Sequence, residues 1–261
     1  MKNLRKYGSS PYTVAVVHGG PGAPGEMAPV ARELSSFTGV LEPLQTKSTF
    51  EGQVQELRGV LKKHGDLPVV LIGFSWGAFL SFILTARYST LVKKLILVGS
   101  GPFEQKYADN ITPDRLNRLS EEERIEAFSL IDIVNGPDGV DKDKPMARLA
   151  ELWAKADTYA PLPLQQIEAL GFSDEINRKV WAEGKKLRIS GELLKMGKKI
   201  ECPVVAIQGD YDPHLAEGVK APLSRVLKDF RFIPLEKCGH YPWMERHARD
   251  EFFKVLRKEI Q

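Results

Sequence analysis

Four short stretches of this chain carry residue types that could do chemistry on a carbonyl group. Gly73-Phe74-Ser75-Trp76-Gly77 sets a hydroxyl between two glycines. A serine on a sharp strand-to-helix bend must adopt a strained backbone, and its neighbours two positions away crowd the bend unless they lack a Cβ. A bend of this kind lifts the Ser75 hydroxyl clear of a sheet. It also aims the Trp76 backbone N–H and the positive end of the following helix at the same point. His18-Gly19-Gly20-Pro21-Gly22 is a second glycine-rich turn, from which the Gly20 N–H is expected to join the Trp76 N–H in an oxyanion hole.

A serine hydroxyl is a poor nucleophile until a base accepts its proton. The chain has 5 histidines. His64 falls near the polar end of one helical pattern and His247 is read within the C-terminal helix, so both are expected to face solvent. His18 reads as a packing and hydrogen-bonding residue of its own loop. His214 follows Asp212 by two residues, close to the site but too early in the chain to serve as the base. His240, in Cys238-Gly239-His240-Tyr241-Pro242-Trp243-Met244-Glu245, is left as the base. Gly209-Asp210-Tyr211-Asp212 offers two carboxylates. Asp212 is favoured as the acid that orients His240, with Asp210 as a turn-former, and the reverse assignment is the alternative. The order Ser75, Asp212, His240 is that of a Ser-Asp-His constellation, whose chemistry would be acyl transfer.

These residues need a frame that brings distant parts of the chain to one place. Continuous apolar runs at Thr13 to Val17, Val69 to Ile72, Leu95 to Val98 and Val204 to Ile207 suit strands buried on both faces of a parallel sheet. Weaker strands are expected at Thr38 to Leu41 and Phe230 to Leu235. Met27, Val30, Ala31 and Leu34 make one helical stripe, and Val54, Leu57 and Leu61 another, with Ser48 and Glu51 as a candidate capping box. Each candidate residue then falls just after a strand, at the carboxyl edge of the sheet. The alternation stops at Pro102. From Phe103 to about Lys198 the pattern turns helical and charged, so the expected organisation is a core of residues 1–102 and 199–261 with a helical cap or lid of residues 103–198 inserted into it.

Composition bounds the function. With 37 Lys plus Arg against 34 Asp plus Glu among 261 residues, the formal charge is +3 and the signs are interspersed. That is no nucleic-acid footprint. No segment reads as a signal peptide or a membrane span, and the expectation is a cytoplasmic protein acting on a small molecule or short peptide, with the oligomeric state open. Cys202 and Cys238 lie at the start and end of neighbouring parallel strands, about 20 Å apart at the rise of an extended chain, too far for a disulfide and without metal-ligand spacing. No metal or organic cofactor is expected.

At these residues the chain resembles the α/β-hydrolase superfamily, and within it is similar to the proline iminopeptidase branch. The likeness rests on His18 to Gly22, Ser75-Trp76-Gly77, Gly209-x-x-Asp212 and Gly239-His240-x-Pro242-x-x-Glu245, from about Thr13 to Glu245. It implies an α/β fold, a mostly parallel sheet covered by helices on both faces, and a serine hydrolase that cleaves a small ester or amide through an acyl-enzyme. An N-terminal aminopeptidase, a carbon–carbon bond hydrolase, and a ligand receptor or interaction protein on the same fold are the alternatives. Leu41 to Phe50 reads LEPLQTKSTF where members of that branch usually carry an Asp-Gln-Arg-Gly-type loop, and the N-terminal antiparallel strands look shortened. Aminopeptidases of this type have cap carboxylates for the substrate amine, but Glu121, Glu122 and Glu123 read as a solvated helix face. Phe103, Phe128, Trp153, Tyr159 and Trp181 are the large cap side chains that would shape an acyl pocket, although such residues more often form cap core.

Overall fold

The computed structural model describes residues 3–136, 142–163 and 173–261, without the side chains of residues 143 and 174. Seven strands form one sheet: β1 (Leu4–Tyr7), β2 (Tyr12–Val17), β3 (Gly39–Pro43), β4 (Val69–Phe74), β5 (Val92–Val98), β6 (Val204–Gly209) and β7 (Phe230–Leu235), in the order β1-β3-β2-β4-β5-β6-β7. β1 pairs antiparallel with β3, and every other pairing is parallel.

Residues of even and odd number along the central strands point to opposite faces. Val14, Val16, Val70, Ile72 and Phe74 join α1 (Ala28–Leu34) and α11 (Arg249–Ile260) on one face. Ala15, Val17, Val69 and Leu71 join α2 (Phe50–His64), α3 (Trp76–Arg87) and α10 (Glu217–Val226) on the other. Two-sided burial is why these strands read as unbroken apolar runs, and the sheet-and-helix layering is the α/β-hydrolase fold.

Between β5 and β6 lie α4 (Gln105–Ala108), α5 (Ile111–Asn117), α6 (Glu121–Asn135), α7 (Asp143–Ala156), α8 (Asp174–Ile189) and α9 (Glu192–Met196). Leu116, Leu119, Ala127, Leu149, Leu152 and Ala156 form a small apolar cluster of their own among α5, α6 and α7. Among the described residues no helix is long and apolar enough to cross a membrane.

Local expectations need two corrections. The cap of α2 is Thr49, not Ser48: Thr49 is extended (φ −127°, ψ 147°) and its hydroxyl accepts from the Gly52 N–H. The reciprocal capping box lies instead at Ser120 and Glu123, at the start of α6. His247 precedes α11 rather than lying in it, and it is exposed.

Candidate active site

Ser75 stands where β4 gives way to α3, with φ 49° and ψ −115°, a backbone region that L-residues rarely enter. Its own N–H donates to the Val98 carbonyl at 3.0 Å, which ties the bend to the neighbouring strand. A Cβ at Gly73 would collide with the Gly77 carbonyl, and one at Gly77 with the carbonyls of Val17 and His18. The two glycines are therefore required by close approach. Trp76 is the first residue of α3, so its backbone N–H has no intrahelical acceptor. Its indole N–H donates to Gln53 Oε1 at 2.9 Å and fixes the ring.

Gly20 lies opposite, on the loop after β2, with φ +45°. His18 anchors that loop from below. It is fully buried, its Nε2 accepts from the Gln45 N–H at 3.1 Å, and its Nδ1 therefore carries the proton and donates to the Gly19 carbonyl at 3.0 Å. Burial lowers its pKa to about 4, so it is neutral and structural. α8 grips the same loop from above: Asn177 Nδ2 donates to the carbonyls of Pro21 (3.0 Å) and Gly20 (3.4 Å), and the Ser173 N–H to that of Gly22 (2.9 Å).

Asp212, 2% exposed, accepts four hydrogen bonds. Oδ2 takes His240 Nδ1 at 2.8 Å and Gln208 Nε2 at 2.8 Å; Oδ1 takes the His214 N–H at 2.9 Å and His214 Nδ1 at 2.8 Å. Burial alone would push this carboxyl up, but the two imidazoles and their hydrogen bonds outweigh it and hold the group well below the usual carboxylate range. For His240, burial favours the neutral ring, yet the facing Asp212 carboxylate wins and its pKa is raised. His214 ends lowered, because burial and the His240 charge outweigh the same carboxylate. The two rings are stacked with centroids 4.4 Å apart and 29° between planes. Asp210 is elsewhere engaged: its Oδ1 accepts from the Cys238 N–H at 3.1 Å and ties the loop after β6 to the loop after β7.

Ser75, Trp76, Gly20, His214 and His240 line one cavity of about 360 Å³, so the structure gathers the residues singled out from sequence, with Asp212 buried behind. Of the large side chains between β5 and β6, Trp153 and Trp181 line it; Phe103 is buried against Phe79 and Phe82, and Phe128 and Tyr159 are exposed. Glu121 and Glu122 are exposed, and Glu123 caps α6 and pairs with Lys155.

Three groups at this cavity carried no sequence motif. Glu26 accepts from the Gly19 N–H at 3.0 Å and from the Tyr241 hydroxyl, and burial raises its pKa to about 7. It flanks Ser75, since a Cβ on Gly19 would lie 2.8 Å from Glu26 Oε2 and 2.9 Å from Ser75 Cβ. Arg115 and Asp157 form a bidentate pair, Nε to Oδ1 at 2.7 Å and Nη2 to Oδ2 at 2.6 Å. Asp157 also accepts the His240 N–H on its backbone oxygen at 2.7 Å. Nothing in the spacing of these residues marks them; only the folded chain brings them together.

Asp212, His214 and His240 also hold ligand-type atoms within 4.8 Å of one another, the distance scale of a metal site. Each imidazole Nδ1 instead faces its own carboxylate oxygen at hydrogen-bond length, so the donor atoms satisfy each other. Both cysteine thiols are free.

The fold and the comparisons agree on the class. Residues 42–246 match the model of the alpha/beta hydrolase fold family, and the chain belongs to that family. It is 26% identical over 206 residues to a pimeloyl-[acyl-carrier protein] methyl ester esterase of Neisseria meningitidis serogroup A / serotype 4A, covering 75% of this chain and 57% of that protein, little more than half its length. Among solved structures it resembles a proline iminopeptidase of Mycobacterium smegmatis (TM-score 0.63, 16% identity, 98% of this chain and 93% of that one). It also resembles a thermophilic esterase of Thermogutta terrifontis (TM-score 0.61, 18% identity, 99% and 93%). At these identities the structural likenesses speak to fold.

Proposed function

We propose that the chain is a serine hydrolase that cleaves a small ester or amide through an acyl-enzyme. The observation that carries this reading is the 2.8 Å pairing of His240 Nδ1 with Asp212 Oδ2, on a cavity shared with the strained Ser75. With Nδ1–H spent on the carboxylate, His240 presents a lone pair on Nε2. It takes the Ser75 proton as Oγ attacks the carbonyl carbon and returns it to the departing heteroatom. The N–H groups of Gly20 and Trp76 receive the developing oxyanion, where a single donor typically contributes about 3 kcal/mol to the transition state. Water then repeats the sequence on the acyl-enzyme. The Asp212 carboxylate, which raises the pKa of His240, stabilises the imidazolium formed in each half-reaction.

Residues 103–198 serve in this reading as the cap over the core of residues 1–102 and 199–261, and Trp153 and Trp181 supply its apolar wall. An ester substrate accords with the esterase relatives and with the mixed polar and aromatic lining. Ser75→Ala should abolish both labelling by a fluorophosphonate probe and hydrolysis of p-nitrophenyl esters of short acids. Undiminished labelling of the variant would refute the assignment.

A further inference from the structure

Asp212 serves two imidazoles, and only one of them is used by the proposed acyl transfer. His214 spends its Nδ1 proton on Oδ1 of the carboxylate at 2.8 Å, as His240 does on Oδ2. A neutral imidazole that donates through Nδ1 accepts through Nε2. Among the described residues, no protein donor reaches the His214 Nε2, while the residue lines the cavity beside Ser75 and His240. The ring is held on three sides: its backbone N–H is bound to Asp212, its carbonyl accepts from Gln208 Nε2 at 2.7 Å, and its face rests on His240. An acceptor fixed so firmly, facing a cavity and unmatched by the protein, suits a donor brought by a ligand.

The stacking says which part of the ligand. Both Nδ1 atoms turn to the same carboxylate, so both Nε2 edges face away from it, and both stacked rings line the cavity. The leaving group departs from His240 Nε2, the atom that protonates it. The oxyanion donors, Gly20 and Trp76, come from other loops. The space next to His214 Nε2 is therefore beside the leaving group, one ring-stacking distance from the scissile heteroatom.

We propose, resting on the serine-hydrolase reading, that His214 is a specificity-determining residue that accepts a hydrogen bond from the leaving group. The favoured substrates are then esters whose alcohol carries a second hydroxyl or an amide N–H close to the scissile oxygen, rather than simple alkyl esters. The lowered pKa of His214 keeps its ring neutral, and so an acceptor, when His240 becomes charged.

The test compares 2-hydroxyethyl butyrate with propyl butyrate, which differ by a hydroxyl in place of a methyl group. Wild-type enzyme should favour the hydroxy ester in kcat/KM. His214→Phe keeps a stacked ring without the acceptor, and His214→Asn keeps a donor for Asp212 while its amide oxygen, bound to Cγ, falls short of the Nε2 position. In each, the ratio of the two kcat/KM values should fall about tenfold, the scale of one hydrogen bond. A residue that only orients Asp212 would slow both esters alike, so a ratio unchanged in both variants overturns the proposal, as does a wild-type enzyme that does not discriminate. Hydrolysis of neither ester by an enzyme whose Ser75 is not labelled would overturn the serine-hydrolase reading itself.

Discussion

Glu26 is a carboxylic acid at the site whose ionisation the fold opposes. Its carboxyl accepts from the Gly19 N–H and the Tyr241 hydroxyl, both neutral donors, and burial raises its pKa from 4.5 to about 7. The folded protein therefore binds this proton more tightly than the unfolded chain does. Stability from this group is complete below pH 4.5 and is lost as pH rises through about 7. Because the carboxyl borders the cavity, water reduces the effect, and a loss of about 1–2 kcal/mol is expected. Glu26→Gln keeps an oxygen acceptor and removes the titration. Between pH 5 and pH 8, urea unfolding of the wild type should lose about 1–2 kcal/mol more than the variant. Parallel stability profiles would show that Glu26 ionises freely in the fold.

The same residue marks how far site residues can be read from sequence. Ser75, Asp212 and His240 carry local marks, because a tight bend demands flanking glycines and each residue follows a strand. Asp210 and Asp212 are separated by position alone, and the structure assigns Asp210 to the Cys238 turn. His214 was visible as a neighbour of the acid, yet its second hydrogen bond to Asp212 depends on the backbone curling back after β6. Glu26 has no such mark, being one acid in a loop until the fold sets it against Gly19 and Tyr241.

At the scale of elements, Glu245 joins two segments that chain order keeps far apart. Oε1 accepts the N–H groups of Gly239 (2.9 Å) and Tyr159 (2.7 Å), and Oε2 that of Ala160 (2.8 Å). The Arg246 N–H donates to the Ala160 carbonyl and the Leu162 N–H to that of Met244, so the loop bearing His240 is stitched to the segment after α7. Glu245 is fully buried, so Glu245→Ala would leave three backbone donors unpaired. Each costs about 1–3 kcal/mol, part of it recovered by water entering the space, and a net loss of about 3 kcal/mol is expected in denaturant unfolding. A loss below about 0.5 kcal/mol would mean that the stitch is redundant. Elements themselves were legible where packing is two-sided: β4 and β6 are apolar through their centres, and β5 is apolar over Leu95 to Val98. β1 was not, because Leu4–Tyr7 is a partly exposed edge strand of sequence LRKY, whose pairing partner β3 lies more than thirty residues away in sequence. Thr49 displaced Ser48 as a cap because backbone conformation selects the capping hydroxyl, and adjacent hydroxyl residues look alike in sequence.

Across the whole molecule, the helices between β5 and β6 meet the carboxyl edge of the sheet through charge. Asp157, 2% exposed, is paired by Arg115 of α5 and gives its backbone oxygen to the His240 N–H. Arg118 adds a second tie, with Nη1 donating to the carbonyls of Ala156 (3.0 Å) and Tyr211 (2.7 Å), next to the acid. Burial disfavours the charge on Arg115, but the facing Asp157 carboxylate more than compensates and the pKa of Arg115 is raised. Removing one partner strands a buried charge, whereas removing both leaves two neutral groups of similar size. Arg115→Met should therefore destabilise the protein by about 3 kcal/mol, and adding Asp157→Asn should restore most of that, giving a coupling of about 2 kcal/mol in a double-mutant cycle. The double variant should also hydrolyse esters faster than Arg115→Met alone, since the Asp157 backbone still receives the His240 N–H once the stranded carboxylate is gone. If the two substitutions add within about 0.5 kcal/mol, the pair contributes no mutual stabilisation, and the tie between the helices and the His240 loop rests on backbone hydrogen bonds and Arg118.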